Sequence, residues 1–471
     1  MTHVLETDLC IIGAGAAGLS VAAAAARLGR PVVLIEKGKM GGDCLNYGCV
    51  PSKSLLAAAK RAHQAGVHLG VTLTAAVDFP AVQAHVHNVI ADIAPHDSQE
   101  RFESLGCTVL RAPARFTGPR QVTAGEHVIT ARRFVIATGS RPRLPDIPGL
   151  AAIPYLTNET IFDLTALPPH LLILGGGPVG CELAQAFRRL GSKVTLVSRR
   201  LLAKDDPDLV AVVRRALLAD GVRIVDGADV TAAALAADGV ALTLSRAGQT
   251  ETITGSHVLV AAGRTPAIDG LELDAAGVRY TDKGIMVDRR LRTTNRRIFA
   301  VGDVTGRTPF THMAGYDAGI VVRNALFRLP AKVRLPLTPW CTYTDPELAQ
   351  AGLTEAAARA AGHKDIRVVT WPFADNDRAR TEGGRDGLVK VVATRRGRIL
   401  GAGIAGPQAG ELIQPWCLAL AQGLKMAAMA GYIAPYPTLG EINKRAAGLY
   451  FEPTVFSAGM KRLVSFLARL G

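Results

Sequence analysis

The sequence predicts an α/β fold in which one strand–glycine turn–helix–strand unit occurs twice and a C-terminal α+β segment follows. Three observations carry that expectation. Two glycine-rich stretches each lie between an apolar strand and a helix, and each helix is followed by a second apolar strand. The chain has 471 residues, enough for three or four domain-sized units, since single cores stop growing near about 250–300 residues. Glycine is abundant, at 49 residues, as sharp strand-to-helix turns require.

In the first unit Asp8-Leu9-Cys10-Ile11-Ile12 reads as a short strand. Gly13-Ala14-Gly15-Ala16-Ala17-Gly18 follows as a turn, then a helix to about Leu28 and a strand from Pro31 to Ile35 that ends at Glu36. Gly13, Gly15 and Gly18 allow a tight turn and let a pyrophosphate approach the helix N-terminus. Glu36 stands where a carboxylate accepts hydrogen bonds from a ribose. The uncharged run Leu9 to Ala26 has a signal-peptide look, but Glu6 and Asp8 precede it where a signal peptide carries lysine or arginine. It is expected to be strand, turn and helix, and the protein to be cytoplasmic.

The second unit runs from Leu171–Leu174 through Gly175-Gly176-Gly177-Pro178-Val179-Gly180, a helix through Leu190, and the strand Lys193–Val197. Gly175, Gly177 and Gly180 repeat the turn. Where Glu36 stood, this unit has Ser198-Arg199-Arg200. An acid there repels a 2′-phosphate and guanidinium groups bind one, so NADPH is expected over NADH.

Between the two units lies Gly41-Gly42-Asp43-Cys44-Leu45-Asn46-Tyr47-Gly48-Cys49-Val50-Pro51-Ser52-Lys53. Cys44 and Cys49 can close a small disulfide ring whose reduction leaves two inequivalent thiols. Thiolate is the reactive form, and a helix capped by Ser52 would favour it. A zinc site needs about four ligands at matching spacings, and no second pair accompanies these two. A structural disulfide does not suit a chain without export signals. Cys10, Cys107, Cys181, Cys341 and Cys417 read as small core residues.

This stretch resembles the active site of the class I pyridine nucleotide–disulfide oxidoreductases, which include dihydrolipoamide dehydrogenase, glutathione reductase and mercuric reductase. The resemblance runs from about Asp8 to Glu441, with motifs in the family's order. It implies FAD in the first site, Cys44 as the exchange thiol and Cys49 as the thiol against the flavin. Lys53 matches the lysine beside flavin N5, and Glu182 its carboxylate partner. The resemblance adds Gly42, Thr138 and Gly139 at the end of Phe134–Gly139, Gly263 at the end of Val258–Gly263, and Asp303 after Arg297–Gly302 to the cofactor residues. Thr311-His312-Met313-Ala314 is similar to the helix start aimed at the flavin pyrimidine, with His312 read as structural or capping. The implied organisation is an FAD-binding domain with the redox pair (1–150), an NAD(P)H-binding domain (151–269), a central domain completing the FAD site (270–335) and an interface domain (336–471). Two such chains form a homodimer with a shared active site.

The chain departs from the disulfide-reducing members at one position. Their interface domain carries His-Pro-Thr…Glu, whereas this chain reads Tyr436-Pro437-Thr438-Leu439-Gly440-Glu441. A phenol is a poor base at neutral pH. Mercuric reductase resembles the chain here, with Pro-Tyr at the same place, although its C-terminal cysteine pair and N-terminal metal-capturing domain have no counterpart. The expected function is therefore electron transfer from NADPH through FAD and the Cys44–Cys49 disulfide to an acceptor, mercuric-reductase-like. Reduction of a lipoamide-type or other disulfide, and a redox sensor without turnover, are the alternatives. No resident metal is expected.

The net charge of +14 and pI of about 9.7 favour anionic ligands or surfaces. No nucleic-acid motif accompanies the charge, so no nucleic-acid partner is expected. Met460, Leu463, Val464 and Leu467 share a helical face in a basic tail. The tail is expected to pack on its own domain, in preference to contacting an anionic membrane surface.

Overall fold

The computed structural model describes residues 3–334 and 338–470. The expected boundary between residues 335 and 336 lies outside the described residues. Three sheets organise the chain. The first orders its strands Cys107–Leu110, Val32–Ile35, His3–Ile12, His127–Ile136, Gln121–Ala124 and Ala114–Gly118, and Ile298–Ala300 pairs in parallel with His127–Ile136. The first strand has ten residues, not five, because its N-terminal half pairs in register with His127–Ala131 as well. Leu9, Ile11 and Leu34 are fully buried, each contributing about 1.5–3 kcal/mol of burial. They are covered by helices Ala16–Arg27 and Thr311–Ala325.

The second sheet is parallel, in the order Arg223–Asp226, Lys193–Ser198, His170–Leu174 and His257–Val260, with a three-stranded antiparallel sheet over residues 229–255 beside it. Two short strands, Ser140–Pro142 and Arg264–Pro266, pair antiparallel where the chain leaves each unit. The third sheet is antiparallel and ordered Pro339–Thr342, Glu347–Gly352, Ile399–Gly406, Leu388–Thr394 and Ile366–Pro372. Trp416 is buried against it, its indole N–H donating to Asn443 at 2.7 Å.

Helix Cys49–His63 packs on helix Pro178–Leu190, with Leu55 and Ala59 against Leu183 and Ala184 in one core. This contact carries the redox segment onto the second unit. Among the described residues no helix is long and apolar enough to cross a membrane.

The tail does not fold as expected. Helix Ala458–Leu467 has no buried residue, and Leu463, Val464, Phe466 and Leu467 are all exposed. The last buried side chain before it is Tyr450, under the Arg367 guanidinium. An amphipathic stripe records that a face is apolar; it does not say which surface covers it.

Candidate active site

Cys44 lies in the short helix Gly42–Asn46, and Cys49 is the first residue of Cys49–His63. The N-cap of that longer helix is Gly48, not Ser52. Ser52 sits one turn in, where its hydroxyl donates to the Cys49 carbonyl at 3.3 Å. The consequence favours the chemistry, because it puts Cys49 itself at the positive end of the helix. Cys44 is half-buried and Cys49 exposed, both as free thiols. Hydrogen bonding from Cys44, then the Thr311 hydroxyl at 3.4 Å and the Lys53 charge, bring the Cys49 thiol down to about 6 against the opposing effect of burial. The same hydrogen bond, with burial, pushes the Cys44 thiol far up. One proton is thus shared, with the charge on Cys49.

Lys53 donates to Glu182 at 2.7 Å, and its ammonium lies 4.6 Å from the centre of the Tyr343 ring. Glu182 is buried at 4% exposure, and its other oxygen accepts the Tyr343 backbone N–H at 2.9 Å. Three distant segments therefore meet at one charge pair. Tyr343 was not legible in the sequence.

Gly13 has φ of +105°, and a Cβ there would lie 2.4 Å from the Ala137 carbonyl oxygen; one on Gly18 would lie 1.9 Å from the Gly13 oxygen. Gly15, the N-cap of Ala16–Arg27, bridges to Gly41, and a Cβ on Gly42 would lie 2.7 Å from the Gly15 Cα. The glycine turn and the redox loop are thus in backbone contact. Glu36 accepts the Ala14 and Gly38 N–H groups, each at 2.7 Å, and its oxygens retain lone pairs for ribose hydroxyls. Thr138 donates to the Ala267 carbonyl at 2.7 Å, next to Gly139.

Asp303, raised by burial, accepts from Ser140 at 2.7 Å. Ser140 in turn accepts from Arg264 at 2.6 Å, and Arg264 donates to Asp43 at 2.9 Å. Asn158 donates to the same Asp43 oxygen at 3.0 Å. This chain ties the aspartate before Cys44 to Asp303, and it was missed in the sequence because its links are far apart in the chain. His312 donates its Nε2–H to the Pro339 carbonyl at 2.8 Å and stacks on Phe310, a structural role.

In the second unit a Cβ on Gly175 would lie 2.3 Å from the Ala261 oxygen, and one on Gly180 would lie 1.8 Å from the Gly175 oxygen. Gly177 is the N-cap of Pro178–Leu190, and Gly263 has φ of +108° beside Arg143. Ser198 donates to Asp226 at 2.8 Å, and Asp226 also accepts from Arg214. Arg199 pairs with Asp229, both exposed, and Arg200 is exposed. The sequence showed no acid at this strand end. The fold supplies two, from the neighbouring strand Arg223–Asp226 and the one that follows it.

Tyr436 is 67% exposed, and its hydroxyl donates to Asp377 at 3.1 Å, which holds the phenol protonated to higher pH than usual. Glu441 pairs with Arg445, at 2.7 Å, one turn along its helix. Within one chain neither residue has a polar contact to the cysteines. Among the described residues no three His, Cys, Asp or Glu side chains gather as a metal nest.

Two glycine turns built for close backbone approach, with a free cysteine pair and an ammonium paired to a buried carboxylate between them, define a nucleotide-dependent dithiol oxidoreductase. The chain belongs to the pyridine nucleotide-disulphide oxidoreductase family: that family's model matches residues 7–319, and its dimerisation domain matches residues 338–447. It is 37% identical over 452 residues to a mercuric reductase of Streptomyces lividans, covering 93% of this chain and 95% of that one. It is 35% identical over 461 residues to a dihydrolipoyl dehydrogenase of Thermus scotoductus, covering 93% and 96%. The Cu(II) complex of the HOCl-induced flavoprotein disulfide reductase RclA from Escherichia coli superposes with a TM-score of 0.84 at 28% identity, covering 94% of this chain and 100% of that one. The family binds FAD and a pyridine nucleotide, and the two cradles that a Cβ would fill fit those groups. The dimerisation domain makes a homodimer the expected assembly.

Proposed function

We propose that the protein is an NADPH-dependent reductase whose Cys44–Cys49 pair serves a thiophilic acceptor, Hg(II) or a kindred soft metal ion, at a site shared across a homodimer. The observation that carries this reading is Tyr436, which donates its hydroxyl to Asp377 and keeps its proton. Such a phenol cannot relieve a dithiol of its proton at neutral pH, whereas a soft metal ion needs thiolates and electrons. Overall, NADPH gives up a hydride's two electrons, Hg(II) becomes Hg(0), and one proton goes to water. FAD, when bound, supplies the two-electron chemistry that links the nicotinamide to the dithiol. Cys49 holds the thiolate, Cys44 is the exchange thiol whose S–H proton passes to water as its sulfur binds the metal ion and is regained when Hg(0) leaves, and Lys53 sets a fixed positive charge held in place by Glu182 and Tyr343.

The test is steady-state NADPH consumption by FAD-loaded protein given Hg(II) buffered with excess small thiol, without oxygen. Sustained turnover that is lost in Cys44→Ala supports the reading. Tyr436→His is expected to raise lipoamide reduction by about 10²-fold, the scale of general acid–base help, and to leave Hg(II) turnover within about threefold. Fast lipoamide reduction by the unaltered protein, with none of Hg(II), would show that the acceptor is a disulfide.

Arg199 and Arg200 select NADPH in this reading. An ion pair exposed at both ends, such as Arg199–Asp229, contributes under about 1 kcal/mol. A phosphate with nearly two charges can displace the carboxylate. Joint Arg199→Ala and Arg200→Ala substitution is expected to raise the KM for NADPH about 10–100-fold and to leave that for NADH within about twofold. Asp229→Asn should lower the KM for NADPH about two- to fivefold. Equal losses with both nucleotides would show that the arginines do not read the phosphate.

A further inference from the structure

We propose that helix Ala458–Leu467 docks the protein on an anionic lipid bilayer, lying in the plane of the membrane surface. At 3.6 residues per turn, Phe466, Leu463, Leu467, Met460 and Val464 occupy one continuous arc of roughly 160° of the helix, and Leu470 follows its end. All six are exposed, from Met460 at 37% to Leu470 at 70%. Lys461 and Arg462 flank this arc on opposite sides, Ser465 lies on the far face, and Arg469 follows the end of the helix. That order puts ammonium and guanidinium groups at headgroup level when the apolar arc enters the acyl boundary, with the long basic side chains reaching outward.

The charge identifies the occupant. From Pro453 to Leu470 the sequence holds three basic residues and no acid. An anionic bilayer attracts both the helix and the body behind it. The helix has ten residues, about 15 Å of length, against a hydrocarbon core of about 30 Å. It is therefore an interfacial element and not a span. The junction with the body is well defined: Tyr450 is buried and packs edge-on against Phe451, while every residue from Glu452 to Leu470 except Ser457 is exposed.

Co-sedimentation of the full-length, FAD-loaded protein with vesicles decides the matter. One set is phosphatidylcholine alone, and the other contains about one third phosphatidylglycerol, to supply a negative surface potential. Partitioning at least about tenfold stronger to the anionic set is expected, weakening as salt screens the charge. Joint Lys461→Gln, Arg462→Gln and Arg469→Gln substitution should reduce it on the order of 100-fold, at about fivefold per charge. Leu463→Asp with Leu467→Asp should reduce it at least about tenfold, with NADPH turnover on a soluble acceptor unchanged. If the aspartate pair releases FAD, the neutralised triple, which keeps the apolar arc intact, decides alone. Equal partitioning of the unaltered protein to both vesicle sets overturns the proposal. So does dissociation of the dimer by the aspartate pair in size-exclusion chromatography, which would make a second copy the occupant.

Discussion

Cys44→Ala in the FAD-loaded protein is expected to reduce sustained acceptor turnover by more than about 10³-fold, because no exchange thiol remains. The same substitution should return the Cys49 thiol from about 6 toward the ordinary cysteine range. The sign follows from the largest cause: Cys44 donates to the Cys49 sulfur and so favours its thiolate. In the unaltered, reduced protein the thiolate is present above about 6 and is lost as pH falls through that value. At pH 7 Cys49 is then mostly thiolate, against a few per cent ionised for a thiol near about 8.5.

Thiolate absorbance in the ultraviolet, followed against pH, reads this directly. The window is clear of the other cysteines, since burial raises Cys10, Cys107, Cys181, Cys341 and Cys417. Thr311→Ala should move the midpoint in the same direction by less, because its hydroxyl ranks below Cys44 and burial among the causes. A midpoint unmoved in Cys44→Ala would assign the charge to Lys53 and the helix N-terminus instead.

The parts of this site that could be read in the sequence are those whose geometry is local. A strand, a glycine turn and a helix occupy about 30 residues, so Gly13 to Glu36 and Gly175 to Ser198 carry their own register. The five-residue step from Cys44 to Cys49 is equally self-contained. What the sequence withheld depends on long-range closure. Arg264 reaches Asp43 across 221 residues, Tyr343 reaches Glu182 across 161, and Asp377 reaches Tyr436 across 59. Arg264, Tyr343 and Asp377 carry no periodic or motif signal of their own. Lys53 and Glu182 were paired only through family resemblance, 129 residues apart. Ser52 was misassigned as a cap because the helix starts three residues earlier, at Cys49, where a glycine N-cap leaves no side-chain mark. The tail erred in another way: its apolar face was legible, but a stripe at helical spacing cannot distinguish a protein core from a lipid surface.

Lys53→Met is expected to be the most destabilising single change in the site, by about 1–3 kcal/mol once the half-solvated position of the lysine is allowed for. Its side chain is 38% exposed and that of Glu182 is 5%. Removing the ammonium therefore leaves a buried carboxylate with the Tyr343 N–H, while removing the carboxylate leaves an ammonium that water and the Tyr343 face can serve. Glu182→Gln should accordingly cost under about 1 kcal/mol, and the double variant should recover most of the loss. Thermal unfolding of the four proteins then gives a coupling of about 1–2 kcal/mol. The same cycle run on NADPH oxidation separates stability from chemistry. If Lys53 acts through its charge, Lys53→Met slows oxidation at least about tenfold and the double variant does not regain the rate. Lys53→Arg, which keeps the charge, should retain more of the rate than Lys53→Met. Recovery of both stability and rate in the double variant would make the pair a clamp between helices Cys49–His63 and Pro178–Leu190, with no electrostatic part in the reaction.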